Sequence, residues 1–358
     1  MEEMTSLERV TAYRSGKTVD RLPYSMGLGE TIVNYYGYTN KEYLFSSQIM
    51  VDVESKILHE FGGDGMTFSI NTRAFAEALG SKMRYVDRGY STIEKYFLDI
   101  NPVDNFESVD IYTAGRLSIL LEAVKMAQER YGTEQPIGFS VPCPMNCALG
   151  IISLEKLLIC MLKKPEMYIA IMDYCLKAIL ECVRVFYSET GIVPGIFEVN
   201  LAKGIMSQRH VNTYVLPYVK KTMEGIQKIT GRLPGYGSCG SNEHMWDVLL
   251  ELGFKFLGID ADDDIKQAKL KIGAKASISG NIDAVFLRDA SQKEIIQNVY
   301  ACIRNASDSK EGYTLGIGGG PMAFGTPIKN IKTYSICAQK FGRGAQKGRL
   351  CDGVMCEV

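Results

Sequence analysis

Short apolar runs alternate with longer amphipathic segments along most of this chain. The pattern is clearest between residues 233 and 283, where apolar or β-branched runs at 233–238, 255–260 and 276–280 are separated by two amphipathic segments. The runs predict buried strands and the segments between them predict helices, in the order βαβαβ. Each run ends in residues that turn sharply or carry reactive groups, namely Cys239 with Gly240, Asp260 with the aspartates at 262–264, and the Gly-Asn-Ile-Asp sequence at 280–283.

The same alternation extends over the rest of the chain. Further strands are predicted at 24–26, 66–69, 137–141, 195–200 and 313–317, and helices at 41–61, 114–130, 153–162, 165–187 and 208–229. Thr5 and Glu8 form the capping-box pattern that opens a first helix. Eight strands separated by helices predict one α/β domain over residues 1–358, a closed (β/α)8 TIM barrel whose strand ends share one rim. Residues 70–113 are expected to be an insertion, and 339–358 a solvated basic tail.

Composition narrows the choice of partners. The 40 lysines and arginines nearly balance the 41 aspartates and glutamates, so no overall field favours nucleic acid or an anionic membrane surface. Ten cysteines at irregular spacing, with no signal peptide and no apolar run long enough for a membrane span, predict a cytoplasmic protein with free thiols. Cys143 and Cys147 have metal-ligand spacing, but without a second matching pair they are expected to be buried thiols.

Three short motifs carry a resemblance to a known family. Gly-Asn-Ile-Asp at 280–283 follows a strand, Gly-Ile-Asp at 258–260 closes the strand before it, and Asp-Arg-Leu-Pro at 20–23 leads into the first strand. Together they resemble the uroporphyrinogen decarboxylase superfamily, and within it the corrinoid-dependent methyltransferase branch. Decarboxylases of this superfamily follow the first strand with an arginine-bearing segment that grips substrate carboxylates. Residues 26–30 here contain no arginine, which disfavours a decarboxylase.

The resemblance also implies a zinc site that this sequence keeps only in part. Methyltransferases of the branch bind zinc through His-x-Cys after strand five and a cysteine after strand eight, and the metal activates a thiol acceptor. Here the first motif reads Gly-Ser-Cys at 237–239, and the second cysteine position falls on Gly319 or Gly320. Only Cys239 remains. A rebuilt zinc site from Cys239, Glu198 and His244, with Asp260 or Asp262, stays open as an alternative.

Glu198 is the main candidate for acid catalysis. It stands at the end of an apolar strand, where a carboxylate is costly unless it is paired or faces a cleft, and its spacing to the Met-Ser at 206–207 matches an acidic position of the methyltransferase branch. Tyr236 and Tyr24 are expected to assist by hydrogen bonding. Asn146 falls on a threonine position of the family, although it could equally cap a helix. The candidate substrate contacts at the rim are Met26, Asn146, Asn200, Asn281 and Gly319.

These features favour one direction of methyl transfer. Without the thiol-activating ligands, we expect transfer from a methyl ether, such as a methoxylated aromatic compound, to a cob(I)alamin carrier, as in the methyltransferase component of an O-demethylase. The resemblance implies that the corrinoid is carried by a separate corrinoid-binding protein and that the donor is a small molecule. The alternatives are transfer from a methyl-corrinoid to a thiol, decarboxylation of a tetrapyrrole, and a barrel that only binds a corrinoid.

Overall fold

A parallel sheet curls around the centre of the molecule. The computed structural model describes residues 3–101, 106–237 and 239–355. In chain order its strands are β1 Val19–Arg21, β2 Met66–Ser69, β3 Lys82–Arg84, β4 Thr92–Lys95, β5 Ile137–Pro142, β6 Gly195–Phe197, β7 Tyr236–Gly237, β8 Phe256–Gly258, β9 Ser277–Asp283, β10 Tyr313–Gly318 and β11 Arg343–Ala345. Seven of these strands pair in parallel in the order β10-β9-β8-β7-β6-β5-β2.

Residues 23–25 close the gap between the two ends of this sheet. Tyr24 forms a parallel bridge with Leu315 of β10, and the amide of Ser25 donates to the Leu315 carbonyl at 2.9 Å. On the other side, the amide of Asp64 donates to the Tyr24 carbonyl at 2.9 Å, just before β2 begins. The predicted strand at 24–26 is therefore reduced to one bridge, but it occupies the expected place. The predicted (β/α)8 barrel is confirmed.

Helices surround the barrel and connect its strands. In chain order they are α1 Ser6–Arg14, α2 Asn40–Leu44, α3 Ser47–Phe61, α4 Thr72–Ala78, α5 Phe97–Ile100, α6 Leu117–Tyr131, α7 Pro144–Ala148, α8 Leu154–Lys163, α9 Pro165–Thr190, α10 Gln208–His210, α11 Leu216–Thr230, α12 Trp246–Glu251, α13 Ile265–Ile272, α14 Ala284–Asp289, α15 Gln292–Ala306, α16 Ile328–Phe341 and α17 Asp352–Met355. The predicted capping box is present at α1, where Thr5 and Glu8 exchange hydrogen bonds. In the part of the chain that the structure describes, no helix combines the length and apolarity that crossing a bilayer requires.

Strand alternation divides the barrel wall into two faces. Large apolar residues such as Phe68, Phe139 and Leu257 alternate with small ones and are almost fully buried. Phe139 lies 5.0 Å from Phe186 of α9, ring centre to ring centre, so this face meets the helices. The core therefore lies between the barrel and its helical layer, and the intervening small residues face the barrel interior.

The segment at 70–113, predicted to be an insertion, covers part of the rim. It contains α4, an antiparallel hairpin of β3 and β4, and α5, while residues 102–105 lie outside the described residues. The hairpin loop is fastened to the segment after the first strand, since the amide of Gly89 donates to Asn40 Oδ1 at 3.1 Å. Tyr90 then packs edge-on against Phe324 in the loop after β10, with ring centres 4.5 Å apart. The insertion thus spans from α2 to the loop after β10.

The C-terminal segment is folded, so the prediction of a solvated tail is wrong for residues 339–355. Residues 339–341 complete α16, and β11 pairs antiparallel with β1. Ala345, Cys351 and Val354 are almost fully buried, because the apolar side chains between the basic residues pack against the barrel. The end of the tail at 356–358, including Cys356, lies outside the described residues, as does residue 238 in the strand predicted at 233–238.

Candidate functional site

Two buried aspartates clamp the loops that follow β7 and β8. Asp260 is only 5% exposed, and its carboxylate accepts the amides of Gly240 at 2.6 Å and Asp262 at 3.0 Å. Asp263 is equally buried and accepts the Ser241 hydroxyl at 2.7 Å and an amide from the same loop. These contacts fix the rim on this side of the barrel.

Asn281 fastens the loop after β8 from the neighbouring strand. Its side-chain nitrogen donates to the backbone carbonyls of Asp260 at 3.0 Å and Asp263 at 2.6 Å. The side-chain oxygen of Asn281 receives the Cys302 thiol of α15 at 3.6 Å. Both ends of the amide are therefore used within the protein. Asn281 was predicted as a substrate contact, whereas in this structure its side chain holds the loop after β8 in place.

Cys239 lies half-buried at the rim, next to the loop after β10. Its Sγ donates to the carbonyl oxygen of Gly319 at 2.9 Å. Burial raises the pKa of the Cys239 thiol, and the negative charge of Asp260 raises it further. This environment disfavours the thiolate, which is the form that binds metals and attacks electrophiles.

The residues around Cys239 do not fit the zinc site that the family resemblance implies. Glycine stands at 237 where a histidine ligand would be, and a β-carbon at Gly319 would overlap the Asp260 carboxylate. Across residues 3–101, 106–237 and 239–355, no three side chains of the His, Cys, Asp and Glu types converge as a metal site would require. The predicted alternative of Cys239, Glu198 and His244 is therefore not assembled.

His244 lies in a 3-10 turn before α12, away from such a cluster. Its Nδ1 is buried and has no hydrogen-bond partner among the described residues. Burial lowers the pKa of His244, and the nearby charge of Lys203 lowers it further, while Asp263 opposes both. The net effect lowers the pKa, so the imidazole is held neutral.

Glu198, the predicted catalytic carboxylate, follows β6 and is almost fully buried. It is 1% exposed, and its Oε1 accepts the backbone amide of Asn200 at 3.1 Å and the Asn200 side chain at 2.6 Å. Its Oε2 has no hydrogen-bond partner in the described parts of the chain. Burial raises the pKa of Glu198 to about 7, while the Asn200 hydrogen bonds and the nearby backbone amides of Asn146 and Met145 oppose the rise. The carboxyl therefore keeps a proton up to near neutral pH.

Asn146 joins Glu198 and Asn200 in one polar cluster. It lies inside α7, whose N-cap is Cys143, so Asn146 is not a helix cap. Its amide lies 2.9 Å from the Asn200 side chain and, with its nitrogen turned toward Glu198, donates to Oε1 at 2.9 Å. The structure thus brings together three residues that the sequence marked separately, all of them buried.

The two predicted tyrosines point away from the barrel interior. The Tyr24 hydroxyl donates to the Phe61 carbonyl at 2.9 Å and lies 3.1 Å from the Ser335 hydroxyl, between α3 and α16. The Tyr236 hydroxyl donates to the backbone carbonyl of Glu198 at 3.0 Å, and burial raises its pKa. Tyr236 therefore supports the chain at Glu198, whereas Tyr24 is not brought near it.

Met26 also belongs to the wall rather than to the rim. It is 4% exposed, and its methyl group lies beside Gly63 in the turn before β2. The structure does not place it with the other candidate substrate contacts.

Sequence reasoning missed an arginine near the first strand. Arg73 of α4 pairs with Glu30 through contacts of 2.8 and 3.2 Å, and its guanidinium lies 4.3 Å from the centre of the Tyr90 ring. The pair supplies a cation where residues 26–30 have none, but Glu30 already neutralises it. The site thus gains little net positive charge for binding substrate carboxylates.

Comparison with known proteins agrees with this architecture. Methylcobamide:CoM methyltransferase MtbA of Methanosarcina mazei is 22% identical over 274 residues, which are 76% of this chain and 78% of that protein. Methylcobamide:CoM methyltransferase MtaA of Methanosarcina barkeri is 21% identical over 350 residues, or 95% of this chain and 99% of that protein. A solved methyltransferase structure from Methanosarcina mazei superposes with a TM-score of 0.77 at 18% identity, covering 95% of this chain and 99% of that one.

These relatives confirm the predicted likeness to the corrinoid-dependent methyltransferase branch, because their names describe methyl transfer involving a methylcobamide. The family profile described as uroporphyrinogen decarboxylase matches residues 5–341, which is nearly the whole chain. The chain therefore belongs to the uroporphyrinogen decarboxylase family.

Proposed function

We propose that this protein is a corrinoid-dependent methyltransferase that moves a methyl group from a methyl ether to the cobalt(I) corrinoid of a carrier protein. The relatives described above support corrinoid-dependent methyl transfer in general. One observation supports the proposed direction of methyl transfer. The Asp260 carboxylate occupies the space that a zinc-binding side chain at position 319 would need. The zinc ligands that would activate a thiol acceptor are therefore not present together. This favours the other half-reaction, in which the corrinoid receives the methyl group.

This half-reaction makes a specific chemical demand on the protein. The bond between the ether oxygen and the methyl carbon breaks, and a bond from that carbon to cobalt forms. The electron pair of the broken bond stays on oxygen, and cobalt(I), which supplies the new bonding pair, becomes cobalt(III). The oxygen leaves poorly as an anion, so a proton or an equivalent positive group must reach it. The enzyme's contribution is to orient the donor and to provide that proton.

Glu198 is the proposed proton source. With a pKa of about 7 it is partly protonated at neutral pH, and its Oε2 has no competing hydrogen bond among the described residues. In this conformation Asn146 and Asn200 cover the carboxyl, so donation requires these amides to move. Asn146 and Asn200 are accordingly proposed as positioning residues that hold the acid until the donor binds.

The carrier protein is proposed to dock on the rim at the carboxyl ends of the strands. In a TIM barrel the reacting groups lie at this end, so the corrinoid must approach from there. Ile205 and Tyr90, both in segments that follow barrel strands, are 41% and 39% exposed and offer apolar contact area. Exposed aromatic and aliphatic side chains of this kind are typical anchors of a protein interface.

A pair of assays tests the direction of transfer. Purified protein is mixed with chemically reduced cob(I)alamin and a series of methoxylated aromatic compounds, and the loss of the cob(I)alamin absorption is followed with release of the phenol. In parallel, methylcobalamin is offered with a thiol acceptor. We expect turnover in the first assay only. Turnover in the second alone would support thiol methylation, and turnover in neither would support a barrel that only binds a corrinoid.

A further inference from the structure

The interior face of the barrel wall carries small residues. Here we call the inner wall the set Ser25, Thr67, Ser69, Gly138, Ser140, Gly195, Phe197, Gly235, Gly237, Phe256, Gly258, Ser277, Ser279, Thr314 and Gly316. Strand register places these residues on one face, opposite the large apolar residues that meet the helices. TIM barrels usually fill this space with layers of bulky branched side chains. This barrel therefore has an interior that its own side chains do not fill.

Direct contacts join neighbouring hydroxyl-bearing positions of the inner wall. The hydroxyls of Ser69 and Ser140 on neighbouring strands are 3.3 Å apart. A β-carbon placed on Gly316 would lie 3.1 Å from the Ser25 hydroxyl and 3.4 Å from that of Ser279. These positions lie on β9, β10, residues 23–25, β2 and β5, which are neighbours around the barrel, so the hydroxyls face a common space.

Solvent reaches this space. Ser25, Thr67 and Ser69 are exposed, although their neighbours Tyr24 and Phe68 on the other face are buried. Phe256, at the amino end of β8, is 37% exposed in the same interior. Since helices cover the outside of these strands, the exposure must be toward the interior. The inner wall thus lines a water-accessible shaft.

The shaft has two chemically different sides. One side is formed by β6, β7, β8 and the residue before β7, where the glycines at 195, 235, 237 and 258 expose backbone without a side chain. Phe197 lies at the carboxyl end of β6, and Phe256 lies at the amino end of β8. The strands on the other side carry hydroxyls. A flat apolar ring fits against side-chain-free backbone between two aromatic residues, and hydroxyl groups on that ring can bond to serines and threonines.

The inner wall contains no ionisable side chain at any of the described positions named above. An anionic group placed in the shaft would lose its hydration without gaining a counter-charge, which is costly. Seven hydroxyl-bearing positions and six glycines around an uncharged space instead suit a neutral molecule with a few hydroxyl groups.

We infer that the shaft binds the ring of a neutral methoxyphenol, with its methoxy group directed to the rim. This inference rests on the proposed function, which supplies the methyl transfer, and adds the substrate class. Methoxyphenols that carry a carboxylate are excluded by the neutral wall, and the bound ring presents its methyl group to cobalt at the only end of the barrel where the carrier is proposed to dock. The product left in the shaft is the corresponding dihydroxybenzene.

Calorimetry of the complete protein with two matched probes tests this inference. The probes are 2-methoxyphenol and 4-hydroxy-3-methoxybenzoate, which differ by one carboxylate. We expect the neutral probe to bind at least about tenfold more tightly. Burying a carboxylate without a counter-charge costs more free energy than the hydrogen bonds it could form to the wall would recover. Equal or tighter binding of the benzoate would overturn the inference.

Variants then locate the binding. Gly195→Val adds bulk to the shaft, and its β-carbon has room, since the nearest atoms are the Gly235 carbonyl at 3.8 Å and Ser140 Cβ at 3.9 Å. We expect it to weaken binding of 2-methoxyphenol by about tenfold or more. Ala301→Val adds the same bulk on the exposed face of α15 and should leave binding unchanged. Thr67→Val, which keeps shape but removes a hydroxyl, should weaken binding severalfold even if the glycine variant folds poorly.

The outcomes separate this inference from the proposed function. Binding of 2-methoxyphenol that is sensitive to Gly195→Val, without methylation of cob(I)alamin, would retain the shaft and reject the methyl transfer. If both shaft variants still methylate cob(I)alamin from methoxylated donors at the wild-type rate, the methyl transfer would be retained and the shaft would be rejected as the binding site. Binding that neither variant weakens would place the ligand elsewhere and overturn the inference.

Discussion

The buried carboxyl of Glu198 makes the stability of this protein depend on pH in a defined way. Its pKa is raised from the ordinary 4.5 to about 7, mainly by burial. Between these values the folded state holds a proton that the unfolded state has lost, so the free energy of unfolding falls as the pH rises. The raised pKa corresponds to about 3 kcal/mol, since one pKa unit is worth about 1.4 kcal/mol. The loss is complete above pH 7, where the folded protein must bury a charge.

Glu198→Gln removes this dependence. Glutamine keeps the oxygen that accepts the Asn200 hydrogen bonds but does not titrate. Denaturant unfolding from pH 5 to pH 8.5 should show the wild type losing about 3 kcal/mol more than the variant across this range. An infrared band of a protonated carboxyl should also disappear from the variant near pH 6.

Glu54→Gln provides the matched control. Glu54 is likewise buried, burial raises its pKa to about 7, and its carboxyl is hydrogen-bonded by Tyr43 rather than by the Asn146 and Asn200 cluster. Each single variant should remove one proton from the pH dependence, and the double variant should remove two. If Glu198→Gln unfolds with the same pH dependence as the wild type, the carboxyl is already ionised at pH 5 and the proposed proton source is lost.

Three further predictions concern the rim and the wall. Purified protein should hold far less than one zinc per chain by mass spectrometry, and Cys239→Ala should not change that content. One zinc per chain that the variant loses would contradict the conclusion that the residues around Cys239 do not form a zinc site. Asp260→Asn should speed alkylation of Cys239 at pH 8, because a carboxylate that raises the thiol pKa is removed, whereas Asp262→Asn should not. Tyr24→Phe should lower the free energy of unfolding by about 1–3 kcal/mol in denaturant titrations, since buried hydrogen-bond partners are left unsatisfied; an unchanged midpoint would contradict the buried placement.

Local patterns in the sequence carried enough information to predict the barrel. Short apolar or β-branched runs marked the strands, and the Thr5 and Glu8 pair marked the first helix start. The C-terminal segment was missed because its basic residues suggested solvation, while the few apolar residues between them, such as Ala345, decide its packing. The average composition of these twenty residues does not show which individual side chains are buried.

The candidate site was harder to predict because its contacts join distant parts of the chain. Glu198 and Asn200 are neighbours in sequence, but the approach of Asn146 depends on how α7 packs beside β6. Arg73 and Glu30 are separated by 43 positions, and no local pattern signals their pairing. Strand register places Thr67 of β2 and Ser140 of β5 on one face of the sheet. Which face is interior depends on where the helices pack, and that is a tertiary property.

The central claim is that this chain delivers a methyl group from a methyl ether to cobalt. The most direct measurement is ¹³C NMR of the protein mixed with cob(I)alamin and 2-methoxyphenol labelled in its methoxy carbon. We predict that the label leaves the ether signal and appears as a methyl group bound to cobalt, with the dihydroxybenzene formed in equal amount. Label that stays on the ether, while the same protein passes a labelled methyl group from methylcobalamin to a thiol, would contradict the account.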